Sequence, residues 1–225
     1  MTFTCIERCV LSPMTTKTPN LTSIMRRSTY ITLFFASMLC FSTTAIGQDR
    51  PLVVIDPGHG GAEIGVEHAG LLEKDLILEI SLIMGAEFVK AGYDVVYTRT
   101  SDVAVNWSDR RRIAEEAGAA MLFMMHANRN DDPNRHGAEI YLDVENANSK
   151  QLVDVLAASM EDAGSAVLIE GKPWPFLKSE SVPTAMVEVA FMTHQVERRL
   201  LTSTAFQHEL GRTFVSAADK FLETQ

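Results

Sequence analysis

Short apolar runs alternate with helical patterns along most of the chain. Runs of strand length bounded by turn residues predict strands, and apolar residues three or four positions apart predict helices. In Glu73 to Ala91, for example, Leu76, Ile80, Met84 and Phe88 form one apolar stripe. This alternation predicts an α/β sheet. The predicted strands are Pro51 to Asp56, Tyr93 to Arg99, Ala120 to His126, Ala138 to Val144 and Thr184 to Phe191, and the predicted helices are Glu73 to Ala91, Ser108 to Gly118, Ala147 to Gly164 and Thr204 to Glu223. Asn148 or Ser149 is expected to cap the third of these helices.

The first predicted strand ends abruptly in a turn that carries a histidine. Leu52-Val53-Val54-Ile55 is followed by Asp56-Pro57-Gly58-His59-Gly60-Gly61. Proline fixes φ, and the glycines let the backbone pass close to whatever His59 binds. A lone histidine in a Gly-rich turn is more often an ordinary hydrogen-bonded side chain. Further candidate ligands elsewhere in the chain favour a metal or substrate site.

Those further candidates are Glu73, His126 and Glu188. Glu73 opens the long helical pattern, whereas His126 and Glu188 end or interrupt apolar strand-like runs. A carboxylate inside a run as apolar as Ala185 to Phe191 is unusual because a buried unpaired charge is costly. Ligand sites of α/β sheets form at the carboxyl ends of the strands, where His59 and His126 are expected.

Two histidines, one carboxylate and an open position form a common catalytic zinc site, in which bound water has a pKa of roughly 7. In this hypothesis His59, Glu73 and His126 are the ligands of one zinc ion. Glu188 is the catalytic acid/base that takes a proton from the water and passes it to a leaving amine.

Six segments of the chain, in order, resemble the family 3 N-acetylmuramoyl-L-alanine amidases, which are zinc enzymes that act on peptidoglycan. The resemblance extends from Leu52 to Leu222 and implies a mixed, mostly parallel sheet flanked by helices, with zinc at the carboxyl ends of the strands. By position in the motifs, the family's zinc ligands correspond to His59, Glu73 and His126, and its catalytic glutamate corresponds to Glu188. The matching segments are Val54 to Gly61, Gly70 to Lys74, Val95 to Asp102, Phe123 to Asn128, Gly137 to Tyr141 and Pro183 to Phe191.

The chain departs from the family pattern at four positions, none of which is a predicted ligand. Met124 replaces a serine, His194 and Glu115 each replace an asparagine, and Ala120 replaces an aspartate. These changes are expected to affect the surroundings of the site more than its chemistry.

The resemblance implies hydrolysis of the amide bond between N-acetylmuramic acid and L-alanine of the stem peptide. Two alternatives remain open: a zinc peptidase that cuts within the stem peptide, and a non-catalytic peptidoglycan-binding protein. In some relatives an extra helix after the Gly-Ala-Glu strand covers the zinc until an activator removes it. The short stretch Glu145 to Asn148 leaves no room for such a helix, so we expect an open groove and no need for an activator.

Residues 1–47 are predicted to be an N-terminal extension and a cleaved signal peptide, and residues 48–225 the amidase domain. Arg26-Arg27, the apolar stretch Ile31 to Phe41 and Ala45-Ile46-Gly47 follow the signal-peptide pattern, and the apolar stretch is shorter than the roughly 20 residues of a membrane span. We therefore expect export to the periplasm or cell wall without a stable membrane anchor. Met25 is a candidate true start, and twin-arginine export and lipidation at Cys40 are less favoured alternatives.

The chain is acidic, with a net charge of −9. Residues 1–47 contain four basic residues and one acidic residue, so the predicted mature protein is more acidic still. This charge argues against nucleic acid or anionic lipid as a partner. Because all three cysteines precede Gln48, no disulfide is expected. We expect a monomer whose partner is peptidoglycan. Recruitment by a further, unidentified protein is left open.

Five other residues have both functional and ordinary interpretations. His68, His136 and His194 are alternative ligands or substrate contacts, although loop histidines are usually solvated. Arg110 is expected to brace the fold, and Trp174, between two prolines, either stacks on sugar or peptide or staples its loop.

Overall fold

The computed structural model describes residues 50–225, which form eight strands and five helices. The predicted signal peptide, Met25 and all three cysteines lie outside the described residues. The strands are β1 (Leu52–Pro57), β2 (Glu67–His68), β3 (Leu71–Leu72), β4 (Asp94–Tyr97), β5 (Met121–Asn128), β6 (Ala138–Leu142), β7 (Val167–Gly171) and β8 (Thr184–Phe191). The helices are α1 (Glu73–Lys90), α2 (Trp107–Glu116), α3 (Ala147–Asp162), α4 (Gln195–Leu201) and α5 (Thr204–Leu222), and a 3-10 helix spans Pro175–Leu177.

Six of the strands form one mixed sheet in the order β4-β1-β5-β8-β6-β7. Neighbouring strands are parallel except for β6 and β8, which are antiparallel. β2 and β3 form a separate antiparallel pair. The predicted α/β class and mostly parallel sheet are therefore confirmed.

The central strands are buried on both faces of the sheet. In β5 every residue from Met121 to Ala127 is buried, because alternate residues belong to two different core clusters. The larger cluster includes side chains of α1, α3 and α5, and the smaller one includes α2 and the segment around Phe176. A strand covered on both faces is a nearly continuous apolar run, which is why the sequence predicted β1, β5 and β8.

Several elements differ from the prediction. β7, α4 and the β2–β3 pair were not predicted. α3 begins at Ala147, and its cap is neither Asn148 nor Ser149 but Asn146, whose side chain accepts a hydrogen bond from the Ser149 amide at 2.9 Å. β7 is an edge strand whose Leu168 and Ile169 are exposed, so it lacks the buried pattern from which strands are predicted.

The connection between β6 and α3 consists only of residues 143–146. It is as short as the predicted stretch Glu145 to Asn148, but it begins and ends two residues earlier. Within residues 50–225 no helix combines the length and apolar character needed to cross a membrane.

Candidate metal centre and active site

His59 is held at the end of β1 in an unusual backbone conformation. β1 ends at Pro57, and His59 has a φ of 60°. This left-handed region is sterically unfavourable for residues with a Cβ atom. The side chain is only partly exposed, and its Nδ1 lies 3.2 Å from a carboxylate oxygen of Glu63. Nε2 is therefore the nitrogen directed at the other candidate ligands.

Glu73 and His126 meet His59 at the edge of the sheet. Glu73 is the first residue of α1, and His126 lies near the carboxyl end of β5. Glu73 Oε1 lies 3.0 Å from His59 Nε2 and 3.0 Å from His126 Nδ1. The two imidazole nitrogens are 3.2 Å apart. Three elements that are distant in sequence thus bring three potential ligand atoms together.

Backbone amides fix the orientation of the Glu73 carboxylate. Its Oε2 accepts a hydrogen bond from the Val66 amide at 2.8 Å, and its Oε1 accepts one from the Ala127 amide at 3.1 Å. Burial would by itself raise the pKa of Glu73, but the hydrogen bonds from His126 and His59 outweigh burial and lower the pKa to about 2. Burial would lower the pKa of His59, but its interactions with Glu73 and Glu63 outweigh burial and raise the pKa.

Two glycines make the close approach of these side chains possible. A Cβ atom on Gly58 would lie 2.3–2.7 Å from the His126 ring. A Cβ atom on Gly65 would lie 2.4 Å from Glu73 Oε2, and Gly65 also has a φ of +68°. Both positions therefore require a residue without a side chain.

The spacing of the three ligand atoms fits a small metal ion. In a tetrahedral zinc site with bonds of about 2.0–2.1 Å, ligand atoms lie roughly 3.3 Å apart, which is close to the observed 3.0–3.2 Å. Residues 50–225 contain only one group of three or more His, Cys, Asp or Glu side chains close enough together to hold a metal ion. This group consists of His59, Glu73 and His126. His68, His136 and His194 do not belong to it.

Glu188 lies directly opposite His126 in the register of the parallel pair β5–β8. Residues that face each other across a strand pair point to the same side of the sheet. Glu188 Oε2 is buried and has no hydrogen-bond partner among the described residues. Burial, followed by the negative charges of Glu73 and Glu139, raises the pKa of Glu188 to about 8. The site therefore contains one strongly acidic and one weakly acidic carboxyl group, a separation typical of active sites.

Glu139 lies beside these residues. It was included in the motif Gly137 to Tyr141 but was not predicted from the sequence as a candidate site residue. It accepts hydrogen bonds from Tyr141 at 2.6 Å, Asn128 at 2.8 Å and Arg135 at 2.6 Å. Burial would raise the pKa of Glu139, but these bonds outweigh it and lower the pKa. Glu139 therefore presents a persistent negative charge opposite Glu188.

A row of aromatic rings extends from His126. The ring of Trp107 is nearly parallel to the His126 ring at a centroid distance of 6.0 Å, and Phe176 stacks on Trp107 at 4.3 Å. Trp174 lies 5.4 Å from Phe176 and 5.2 Å from Tyr141. These contacts match the loop-staple interpretation of Trp174. Trp107 was not predicted, because only the fold brings α2 beside His126.

The four departures from the family pattern lie outside the ligand cluster. Met124 is buried in the smaller core cluster, and Ala120 donates its amide to the Leu52 carbonyl. Glu115 accepts a hydrogen bond from Ser179, and His194 is the N-cap of α4. Met124 thus packs in the core and His194 caps a helix, whereas Glu115 and Ala120 make hydrogen bonds away from the cluster.

The fold and the cluster together define an α/β protein with a site able to hold a metal ion, of the kind found in metal-dependent hydrolases. The chain belongs to the N-acetylmuramoyl-L-alanine amidase family, whose model matches residues 53–220. The resemblance seen in the sequence is thereby confirmed.

Individual relatives agree with this family assignment. The chain is 30% identical over 168 residues to N-acetylmuramoyl-L-alanine amidase LytC of Bacillus subtilis, an alignment that covers 71% of this chain and 33% of the relative. It is 27% identical over 217 residues to AmiA of Salmonella typhimurium, with 75% of each chain covered. The chain thus spans a third of the first relative's length and three quarters of the second's.

A solved structure with the same fold is N-acetylmuramoyl-L-alanine amidase AmiC2 of Nostoc punctiforme. Its TM-score with this chain is 0.71 at 30% sequence identity, and the match covers 77% of this chain and 97% of that one.

Proposed function

We propose that this protein is a zinc-dependent amidase that hydrolyses the bond between N-acetylmuramic acid and the L-alanine of the peptidoglycan stem peptide. One observation carries the proposal. The ligand atoms of His59, Glu73 and His126 lie 3.0–3.2 Å apart, and Glu188 lies opposite His126 with its buried Oε2 unpartnered among residues 50–225. Membership of the amidase family supports the choice of substrate bond.

His59 Nε2, Glu73 Oε1 and His126 Nδ1 would hold one zinc ion. Two imidazoles and one carboxylate are a common donor set for catalytic zinc, and they leave a coordination position for water or substrate. Bound zinc lowers the pKa of water to about 7 and polarises the carbonyl group to be attacked. Glu63 would orient His59 through Nδ1, as carboxylates commonly do for metal-binding histidines.

Glu188 would move the proton. A carboxyl group with a pKa of about 8 in the metal-free protein can hold and release a proton near neutral pH. A cation bound nearby favours the ionised form and so lowers the pKa of Glu188. The carboxylate would accept a proton from the attacking water and donate it to the alanine nitrogen as the amide bond breaks.

We also propose that residues 48–225 act as a monomer outside the cytoplasm, after cleavage of a signal peptide near Gly47. Peptidoglycan as substrate supports this location, and the fold occupies residues 50–225. The acidic charge of the chain gives no general attraction to an anionic wall, so substrate binding would depend on the groove. An exported protein whose N-terminal residue is Gln48 would support the cleavage site, and retention of residues 26–47 would contradict it.

The activity is tested by mass spectrometry of muropeptides after purified peptidoglycan is incubated with residues 48–225, either with zinc or with a chelator. We expect intact stem peptides with N-terminal alanine and glycan free of peptide, both abolished by the chelator. Cuts within the peptide would instead indicate a peptidase. Absence of any cut despite bound zinc would contradict the proposed enzyme.

The role of Glu188 is tested with Glu188→Gln, which removes the proton acceptor but keeps the shape of the side chain. We expect zinc binding to remain and turnover to fall by at least the roughly 10²- to 10⁴-fold that general acid–base catalysis contributes. Glu67→Gln is the matched control, because Glu67 is exposed on β2. Full activity of Glu188→Gln would show that another group moves the proton.

A further inference from the structure

Two buried arginines lie behind the turn that carries His59. Arg99 follows β4 and is 3% exposed, and Arg110 lies in α2 and is 2% exposed. Arg110 forms an ion pair with the fully buried Asp56 at 2.6 Å. Arg99 makes no ion pair among the described residues, although burial of an unpaired charge is costly. Because burial of this charge lowers the stability of the fold, we expect Arg99 to have a role beyond packing.

The donors of Arg99 are directed at backbone carbonyl groups. Its Nε donates to the Pro57 carbonyl at 2.9 Å, and one terminal nitrogen donates at 2.7 Å to the carbonyls of both Gly58 and Lys74. Gly58 precedes the ligand His59, and Lys74 follows the ligand Glu73. One guanidinium group therefore joins the two chain segments that supply these ligands.

Arg110 binds carbonyl groups of the same turn. Its terminal nitrogens donate to the Pro57 carbonyl at 2.8 Å and to the His59 carbonyl at 2.8 Å. The carbonyl groups of Gly58 and His59 belong to the two peptide planes that flank the His59 Cα atom. Arg99 binds the first plane and Arg110 the second, so a guanidinium group restrains the peptide plane on each side of His59.

This arrangement accounts for the strained conformation of His59. A φ of 60° is disfavoured for a residue with a side chain and persists only where the surroundings impose it. We propose that Arg99 and Arg110 are positioning residues that preorganise His59 for metal binding, each through one of its flanking peptide planes. The inference rests on the proposed zinc centre and identifies what holds that centre in shape before the metal arrives.

The test is the zinc affinity of the metal-free protein with Arg99→Lys or Arg110→Lys, measured by titration against a competing chelator. Lysine keeps the positive charge but lacks the planar fork that reaches several acceptors at once. We expect the dissociation constant for zinc to rise roughly 10- to 100-fold, as for other contacts that orient metal ligands. The absorption spectrum of bound cobalt(II) should also change, because it reports ligand geometry.

Two controls separate positioning from general stability. Arg112→Lys changes an exposed arginine of the same helix that pairs with Asp109 and Glu116, and it should leave zinc affinity unchanged. Leu156→Ala opens a cavity in the larger core cluster and should lower thermal stability without changing zinc affinity or the cobalt spectrum.

The outcomes distinguish this inference from the proposed function. Failure of the unaltered protein to bind zinc would refute the metal centre itself. Zinc binding by the unaltered protein, with the same affinity and cobalt spectrum in both lysine variants, would refute only the positioning role. The positioning role would also be refuted if Leu156→Ala lowered zinc affinity as much as the lysine variants do. If Arg110→Lys does not fold because lysine fails to replace the contact with Asp56, Arg99→Lys carries the test, since Arg99 makes no ion pair with any residue from 50 to 225.

Discussion

Glu139 and Glu188 face each other across the antiparallel pair β6–β8, yet they have opposite acid–base character. Hydrogen bonds from Tyr141, Arg135 and Asn128 favour the charged form of Glu139. Glu188 Oε2 has no such bond among the described residues, and burial together with nearby negative charge favours its protonated form. The fold thus assigns the permanent charge to one carboxyl group and the exchangeable proton to the other.

The first prediction concerns the stability of the metal-free protein as pH changes. The pKa of Glu188 is about 8 in the fold, above its ordinary value of 4.5, so the folded state binds this proton more tightly than the unfolded state. Raising the pH from about 4.5 to about 8 should therefore remove stability, on the order of 1 kcal/mol per pH unit.

The measurement is urea denaturation of chelator-treated protein across this pH range, for the unaltered protein and for Glu188→Gln. The variant cannot ionise at this position, so it should be similar in stability near pH 4.5 and several kcal/mol more stable near pH 8. Parallel stability curves for the two proteins would contradict the raised pKa of Glu188.

The second prediction concerns the contribution of a single ligand to metal binding. His59→Ala removes one of the three clustered ligand atoms, so zinc affinity should fall by more than the roughly 100-fold that changes to outer contacts cost. The stabilisation of the fold by added zinc should disappear with it, since a ligand that binds only the folded state raises thermal stability.

Calorimetric zinc titration and thermal unfolding with and without zinc check this result. His136→Ala is the matched control, because His136 is exposed and lies outside the ligand cluster. Equal loss in both variants would mean that the cluster is not the zinc site.

The sequence predicts those parts of the site that short stretches of neighbouring residues specify. The four candidate residues could be selected because His59, His126 and Glu188 interrupt or end apolar runs and Glu73 opens a helical stripe, and each lies in a short motif. β1, β5 and β8 were predicted for the same reason, since both faces of these strands are buried.

The missed residues depend on contacts between distant parts of the chain. Arg99 reaches carbonyls near His59 and Glu73 only because β4 lies beside β1. Glu139 lies opposite Glu188 because β6 and β8 pair in antiparallel register. Trp107 lies beside His126 because α2 packs there. No local pattern in the sequence specifies these pairings.

The third prediction tests the close packing of backbone and ligand. In Gly58→Ala the new Cβ atom would overlap the His126 ring at 2.3–2.7 Å, so the ring or the backbone beside it must shift. We expect zinc affinity to fall at least 10-fold, a loss comparable to that of misplaced ligand contacts. Zinc titration of the folded variant measures the effect.

Gly164→Ala provides a control for the general cost of a glycine substitution. Gly164 has a φ of +91°, and a Cβ atom at this position would meet no heavy atom within 4 Å beyond its neighbours in the chain. The substitution should lower stability by about 1 kcal/mol through backbone strain and leave zinc affinity unchanged. Unaltered zinc binding in Gly58→Ala would show that the His126 ring has room to adjust.

The last prediction concerns activity without a partner protein. Residues 143–146 alone connect β6 to α3, so this connection contains no helix that could cover the cluster of His59, Glu73 and His126. We therefore expect the zinc-loaded protein to release fragments from dye-labelled peptidoglycan at a steady rate, with Glu188→Gln as the inactive reference. Adding extract from cells should change this rate by less than a factor of about 5, equivalent to roughly 1 kcal/mol in the activation barrier. A zinc-loaded protein that is inert alone and becomes active only with extract would show that access to the site is controlled by another element.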